Sequence, residues 1–380
     1  MGTNNFIERD VSRLLAKRSA PQKVVVIYGA RRVGKTTLIN RYAKTLGPDA
    51  LLVTGEDIAV RQYLASESVE KLKAFVGKKR TLIIDEAQYI PNIGLNLKLL
   101  VDHIKGLRIL ATGSSSFSLA QKTGYPLTGR QQTLTVFPLA QRELQAYESA
   151  HETAARLEQR LIFGSYPEVV LSEGDEDRGR YLRELAGAYL FKDILELEGV
   201  RHSDKLLRLL QLLAFQLGHD VSIDSLGQQL GMGKNTVGRY LDLLEKAFVI
   251  YSRTGFARNL RKEVTKSRRY YFLDNGIRNA VINNFAPLAL RDDVGALWEN
   301  YLCAERLKRH AAAGTDVQSY FWRTYDQQEI DLIEEASGKL SAFEMKWKAQ
   351  TVRTPKIWAE TYPKSTFQTI HRESYLPFIL

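Results

Sequence analysis

The sequence is poor in residues that staple or ligate. One cysteine, Cys303, in 380 residues excludes an internal disulfide framework and fits a reducing, cytoplasmic setting. The six histidines are scattered, so no Cys/His cluster has zinc-ligating spacing. No apolar run approaches the roughly 20 residues of a membrane helix. The opening MGTNNFIERDVSRLLAKR lacks an apolar signal core, and its polar lead speaks against a lipid anchor despite the Met-Gly start. No internal repeat or low-complexity tract appears. The expectation is a folded cytoplasmic protein without a membrane partner. Acids are the scarcer charge: 43 Asp and Glu against 54 Lys and Arg give a net charge of +11, which favours a polyanionic partner. The chain is longer than one core usually covers, so two or three domains are expected.

What is present begins at residues 27–37, IYGARRVGKTT, which fits G-x-x-x-x-G-K-T. An apolar β-branched run, residues 23–28, precedes it and a stretch with helical spacing, residues 37–44, follows. Strand, glycine-bounded loop and helix are the context a phosphate-binding loop requires. Gly29, Arg32, Val33, Gly34, Lys35, Thr36 and Thr37 are the candidate nucleotide contacts. Backbone N–H groups and the helix start form the anion site, Lys35 reaches the β- and γ-phosphates, and Thr36 holds Mg²⁺.

A second apolar run, TLIIDE at residues 81–86, ends in two acids. Asp85 is placed to hold Mg²⁺ and Glu86 to polarise the attacking water as general base. A third, RILATGS at 108–114, ends in hydroxyls; Ser114 is the first choice to sense the γ-phosphate, with Thr112 and Ser115 as rivals. Arg130 precedes a strand-like stretch, residues 133–137, and is a candidate to complete a neighbouring subunit's site. This order of motifs resembles the AAA+ branch of P-loop ATPases, and more closely a prokaryotic AAA-type family read by GARRVGKTTL, LIIDEAQ, LATGSSS and LTGR…FPL. The resemblance covers most of residues 6 to about 150. It implies hydrolysis of ATP with Mg²⁺, a sensor serine, an arginine finger and assembly into a homo-oligomeric ring, a hexamer or heptamer. Arg156 and Arg160 are candidates for a second sensor arginine.

Residues 151–200 read as a helical lid or linker, with an exposed SEGDEDRGR loop near 172–180 as a boundary. Residues 201–280 read as a winged-helix module, in which a Gly-Met-Gly turn separates two helices. The second helix presents Lys234, Asn235, Thr236 and Arg239 near its start, where such folds contact DNA. Then follows a basic ribbon, in which residues 253–269 hold seven basic side chains, Arg253, Arg258, Arg261, Lys262, Lys266, Arg268 and Arg269, against the single acid Glu263. Charge concentrated in this way suits phosphate contact.

Residues 281–380 offer different chemistry. Asp331 ends EID, and Glu344 and Lys346 form Glu-x-Lys, which period two puts on one strand face. Two acids and a lysine can hold a divalent cation and activate water for phosphodiester hydrolysis. The stretch 292–350 resembles the PD-(D/E)xK nuclease superfamily, which adds Glu299 as the helix carboxylate. It also resembles the C-terminal domain of unknown function that accompanies the ATPase family. Ile330, not proline, precedes the aspartate. The expected fold is therefore α/β: a P-loop AAA+ parallel-sheet domain over 1–150, a helical and winged-helix middle, and a nuclease-like end. The expected function is an ATPase acting on DNA. The alternatives are an ATP-regulated nuclease and a nucleotide switch or protein-remodelling ATPase in signalling or defence.

Overall fold

The computed structural model describes residues 6–113, 127, 129–189, 203–258 and 267–380. Ser114, Ser115, Arg261, Lys262 and Lys266 lie outside the described residues. The chain divides into two compact units, Met1–Phe137 and Pro138–Leu380.

The first unit is built on a sheet of β1 (Val24–Tyr28), β2 (Ala50–Thr54), β3 (Thr81–Asp85), β4 (Arg108–Thr112) and β5 (Gln131–Thr135), in the order β2-β3-β4-β1-β5. Every pairing is parallel. Parallel strands covered on both faces need apolar side chains at successive positions, and Val24 through Ile27 and Leu82 through Ile84 are all fully buried. Helix α1 (Asp10–Arg18) precedes the sheet, α2 (Lys35–Leu46) follows β1, and α3 (Ile93–His103) packs Leu97 and Leu100 into the core beside Val26, Ile84 and Ala111. Parallel strands share one polarity, so the ends of β1, β3 and β4 bring their following residues to one edge, where ligands bind in such sheets. The fifth strand starts at Gln131 and stops at Thr135, two residues earlier than the sequence pattern indicates.

The second unit opens with helices, of which α4 (Ala150–Phe163) carries a complete N-terminal capping box: Ser149 Oγ accepts from Glu152 N and Glu152 Oε2 accepts from Ser149 N. The stretch expected as an exposed SEGDEDRGR loop is largely helix, Asp175–Glu184, because Asp175, Glu176 and Asp177 complement the positive end of its first turn. Next come α5 (Ser203–Phe215), β6 (Asp220–Val221), α6 (Ile223–Leu230), α7 (Lys234–Lys246), β7 (Ile250–Thr254) and β8 (Arg268–Phe272). The strands form an antiparallel sheet in the order β6-β8-β7. Gly227, within α6, is required where the turn to α7 closes over it, since a Cβ there would lie 2.7 Å from Met232 O. On α7, Val237, Tyr240, Leu241 and Leu244 are buried at the spacing of one helix face.

The last part sets α8 (Val294–Ala313) against β9 (Gln318–Arg323), β10 (Glu329–Ala336), β11 (Lys339–Met345) and β12 (Thr366–Ile370), ordered β12-β11-β10-β9. β9, β10 and β11 form an antiparallel meander, and β12 joins parallel to β11. Between Ile330 and Ile333 the β9–β10 register shifts, so β10 carries a bulge beside Asp331. Phe256, just past β7, donates its N–H to Phe321 O on β9 (2.7 Å) and packs with Trp322, Trp358 and Tyr362, joining the two sheets of this unit. Among the described residues, no helix is long and apolar enough to cross a membrane.

Candidate functional site

The loop after β1 is shaped by backbone that only particular residues tolerate. Gly29 sits at φ 152°, and a Cβ there would lie 2.2 Å from Val136 O, so any side chain would collide with backbone. Arg32 (φ 63°) and Gly34 (φ 96°) are both left-handed, and they flank the fully buried Val33. Lys35 opens α2 with only 5% of its surface exposed; its ammonium donates to Gly29 O (2.8 Å) and Ala30 O (2.9 Å), across the curve of the loop. Thr36 Oγ donates to Asp85 Oδ2 at 2.8 Å, and Thr37 is exposed on the same first turn. These residues fit Mg-ATP: a loop whose Gly29 and Gly34 hold backbone that side chains tolerate poorly, an ammonium at its mouth, and a hydroxyl beside a carboxylate for the cation.

Asp85 closes β3, and Thr112 closes the neighbouring β4. Thr112 Oγ donates to Asp85 Oδ1 and accepts from Glu86 N (2.9 Å). Asp85 therefore receives a hydroxyl on each oxygen, one from the loop helix and one from β4. Glu86 stands in a left-handed conformation, φ 47°, which turns it out of the strand; Gln88 Nε2 donates to its Oε2. Of the hydroxyls weighed for the end of β4, Thr112 is the one seen touching the acids, with Ser114 outside the described residues. Gln88 was legible as the last letter of the DEAQ stretch.

Arg130 lies at the other edge of the sheet. Its carbonyl accepts from Val24 N at the start of β1, and its guanidinium pairs with Asp102 at 2.5 Å. The whole length of β1, about 16 Å of strand, separates it from its own phosphate loop. Arg156 and Arg160 both bind Glu148, so their guanidiniums are engaged in a local cluster.

In the second unit, Glu299, Asp331 and Lys346 line one cleft of about 370 Å³ together with Gly218, Asp220, Arg269, Arg323 and Glu329. Glu344, 6% exposed, binds Lys346 at 2.6 Å through Oε1, and its Oε2 is buried without a hydrogen-bond partner. Asp331 Oδ2 accepts from Met345 N (2.7 Å), and Glu299 Oε1 accepts from Tyr271 OH (2.8 Å). Burial, then the negative charges of Glu299 and Glu344, push the Asp331 carboxyl well above the usual range. Burial also raises Glu299. The Lys346 ammonium is raised even though burial opposes it, because Glu344 and Asp331 hold the proton. The oxygens suit a divalent cation, but their arrangement does not: among the described residues no group of three His, Cys, Asp or Glu side chains is placed to hold a metal ion. Gly218 lies against Glu299, where an added Cβ would stand 2.8 Å from Oε2. The contributions of Gly218, Asp220, Tyr271 and Arg323 carry no motif in the sequence.

The basic residues divide sharply. Lys234, Asn235 and Arg239 are exposed on the first turns of α7, with Thr236 half-buried; Lys234 pairs with Asp224 at 3.2 Å. Arg268 is exposed at the start of β8. Arg258 is exposed and pairs with Glu335 (2.6 Å). Two members of the expected basic ribbon are not on its surface. Arg269 is 2% exposed and binds Asp220 (3.0 Å) and Glu329 (2.9 Å), while Arg253 is 4% exposed and donates to Cys303 Sγ (2.6 Å). Both side chains turn inward, where Arg269 is neutralised by two acids and Arg253 is hydrogen-bonded to the Cys303 thiol and carbonyl. Arg261 and Lys262 lie outside the described residues.

Residues 21–145 match a family described as AAA domain, residues 154–288 a domain of unknown function (DUF8612), and residues 294–365 a domain of unknown function (DUF4143). An uncharacterized protein of Mycobacterium tuberculosis is 29% identical over 342 residues, 89% of this chain and 73% of that protein. Uncharacterized proteins of Methanocaldococcus jannaschii (24% identical; 85% and 74% covered) and Haemophilus influenzae (25%; 82% and 79%) are similar over comparable lengths. Among solved structures, a single-substitution variant of RuvB from Thermotoga maritima overlaps at 16% identity over 67% of this chain and 90% of that one, with a TM-score of 0.30. AMPPCP-bound DnaA from Aquifex aeolicus overlaps at 16% identity over 65% and 89%, with a TM-score of 0.25. Scores that low establish no shared fold over the matched length. The N-terminal part of the chain is an AAA-type P-loop domain, and the remainder matches two families whose descriptions give no function.

Proposed function

We propose that the chain hydrolyses Mg-ATP and works on DNA as an oligomer, by remodelling, translocation or branch migration. The observation that carries the nucleotide half is the convergence of Lys35, Thr36, Asp85, Glu86 and Thr112 where β1, β3 and β4 end. Mg²⁺, held through Thr36 and Asp85, would supply charge neutralisation at the phosphate oxygens. Lys35 exchanges two neutral loop carbonyls for anionic phosphates, a stronger partner for an ammonium. Glu86 polarises the attacking water as general base, and Thr112 holds Glu86 and Asp85 in fixed relation. Arg130, too far along β1 to serve its own loop, completes the site of a neighbouring copy.

The DNA half rests on α6 and α7, read as the helix pair of a winged helix whose β7–β8 ribbon forms the wing. Lys234, Asn235, Thr236, Arg239 and Arg268 would make the phosphate contacts. The test is ATP turnover with single-stranded, duplex and four-way DNA, together with native mass. Stimulation by DNA that disappears in Lys35→Ala and Glu86→Gln is expected. Turnover indifferent to every DNA, with silent Arg239→Glu and Arg268→Glu, would sink the DNA half.

A second reading, a metal-dependent nuclease at the carboxylate cleft, draws on the partnerless Oε2 of Glu344, and against it stands that, among the described residues, no three such side chains are placed to hold a metal ion. Nicking in Mg²⁺ or Mn²⁺ that survives Lys346→Ala would remove this cleft as its source.

A further inference from the structure

Arg9 has no place in the motifs, yet it reaches the phosphate loop. It immediately precedes α1 and is 6% exposed. Its Nη1 donates to Val33 O (2.7 Å) and its Nη2 to Phe137 O (2.6 Å). Val33 is the loop residue between the two left-handed positions Arg32 and Gly34, so its carbonyl belongs to a peptide that cannot move without the loop. Phe137 is the last residue of the first unit, and Pro138 opens the second. A proline restricts the residue before it toward extended backbone, which limits how Phe137 can adjust.

The other end of the loop meets the same short segment. Gly29 presses on Val136 O, and Val136 N donates to Tyr28 O at 2.7 Å. Consecutive residues Val136 and Phe137 thus hold the loop at both ends, one by direct contact and one through a guanidinium. The planar fork of arginine binds two acceptors in fixed geometry, which a lysine ammonium does not reproduce.

We infer that Arg9 is the positioning residue that ties the phosphate loop to Val136 and Phe137, so that filling the loop is registered at the last residues of the first unit. The inference rests on the nucleotide reading above. Phosphates that recruit Lys35 and the loop N–H groups fix the Val33 peptide. Arg9 then passes that restraint to Phe137 O.

The test follows amide hydrogen exchange over residues 134–140 with and without saturating Mg-ATP, in wild type, Arg9→Met and Arg9→Lys, with ATP affinity measured on the same preparations. In wild type, nucleotide slows exchange there by about tenfold. Arg9→Met binds ATP within about threefold of wild type, yet its exchange changes by less than about twofold. Arg9→Lys, with charge but no fork, responds by less than about threefold. A wild-type-sized response in either variant, or no response in wild type that binds ATP, overturns the inference. Wild type that binds ATP no better than Lys35→Ala overturns the nucleotide reading instead. Should Arg9→Met fail to fold, Arg9→Lys alone decides by the same limits.

Discussion

Arg130 is paired with Asp102 of its own chain at 2.5 Å, at the sheet edge opposite the phosphate loop. Both side chains are partly exposed, and an ion pair of that kind contributes little stability, about 0–1 kcal/mol. The pair can therefore be exchanged for a stronger anion at small cost. Arg130→Ala should leave ATP affinity and folding near wild type while lowering turnover by about a thousandfold, the size of an arginine finger's contribution. Full turnover in Arg130→Ala, independent of protein concentration, would refute a shared site.

Thr112 is fully buried and serves both acids. Thr112→Val keeps the shape but leaves Glu86 N without its acceptor and Asp85 with one donor fewer. A stability loss of about 1–3 kcal/mol is expected from the orphaned amide. Turnover should fall about tenfold or more, with a smaller change in ATP affinity. Weakened ATP affinity with unchanged turnover at saturating ATP would mean that Thr112 acts only on binding.

The two adjacent arginines of β8 should behave oppositely. Arg268→Glu alters an exposed side chain and should shift the melting midpoint little. Arg269→Glu places a third acid between Asp220 and Glu329 in a buried position and should cost about 3–5 kcal/mol or prevent folding. Loss of DNA stimulation counts as evidence of contact only in the first variant. Denaturant melts of both proteins separate the cases.

Glu334 on β10 is held by Arg306 and His310, and its carboxyl sits at about 2 although burial opposes ionisation. Its folded value lies below the ordinary 4.5, so the stabilisation is present above about pH 5 and fades as pH falls toward 2. The window corresponds to about 3 kcal/mol. Glu334→Gln should be less stable at neutral pH and should lose less than wild type between pH 5 and pH 3. Parallel acid melts of the two proteins would contradict this.

The sequence exposed the nucleotide site because its parts are local or periodic. Parallel strands buried on both faces appear as unbroken apolar runs, and the loop and its acids follow those runs directly. The rest depended on contacts that no window contains. Arg9 reaches acceptors 24 and 128 residues away. Counting charges along residues 253–269 could not reveal that Arg253 and Arg269 point inward, since charge count is blind to strand face. Period two placed Glu344 and Lys346 together, and they pair. It could not foresee the bulge beside Asp331, where an extra residue interrupts alternation. The Arg130–Asp102 pair joins the start of β5 to α3, a relation set by packing.

The carboxylate cleft has a consequence for how such chains can be recombined. Its walls come from two stretches: Gly218, Asp220 and Arg269 from one, Glu299, Glu329 and Asp331 from the other. Arg269 spans the seam, and Gly218 leaves no room for a side chain against Glu299. A chimera that took residues 203–272 from one parent and 294–370 from another would inherit one partner only of each bond that crosses between them, Arg269–Glu329 and Tyr271–Glu299. The two stretches are thus a single unit of exchange, and a graft succeeds only when its cut lies outside both.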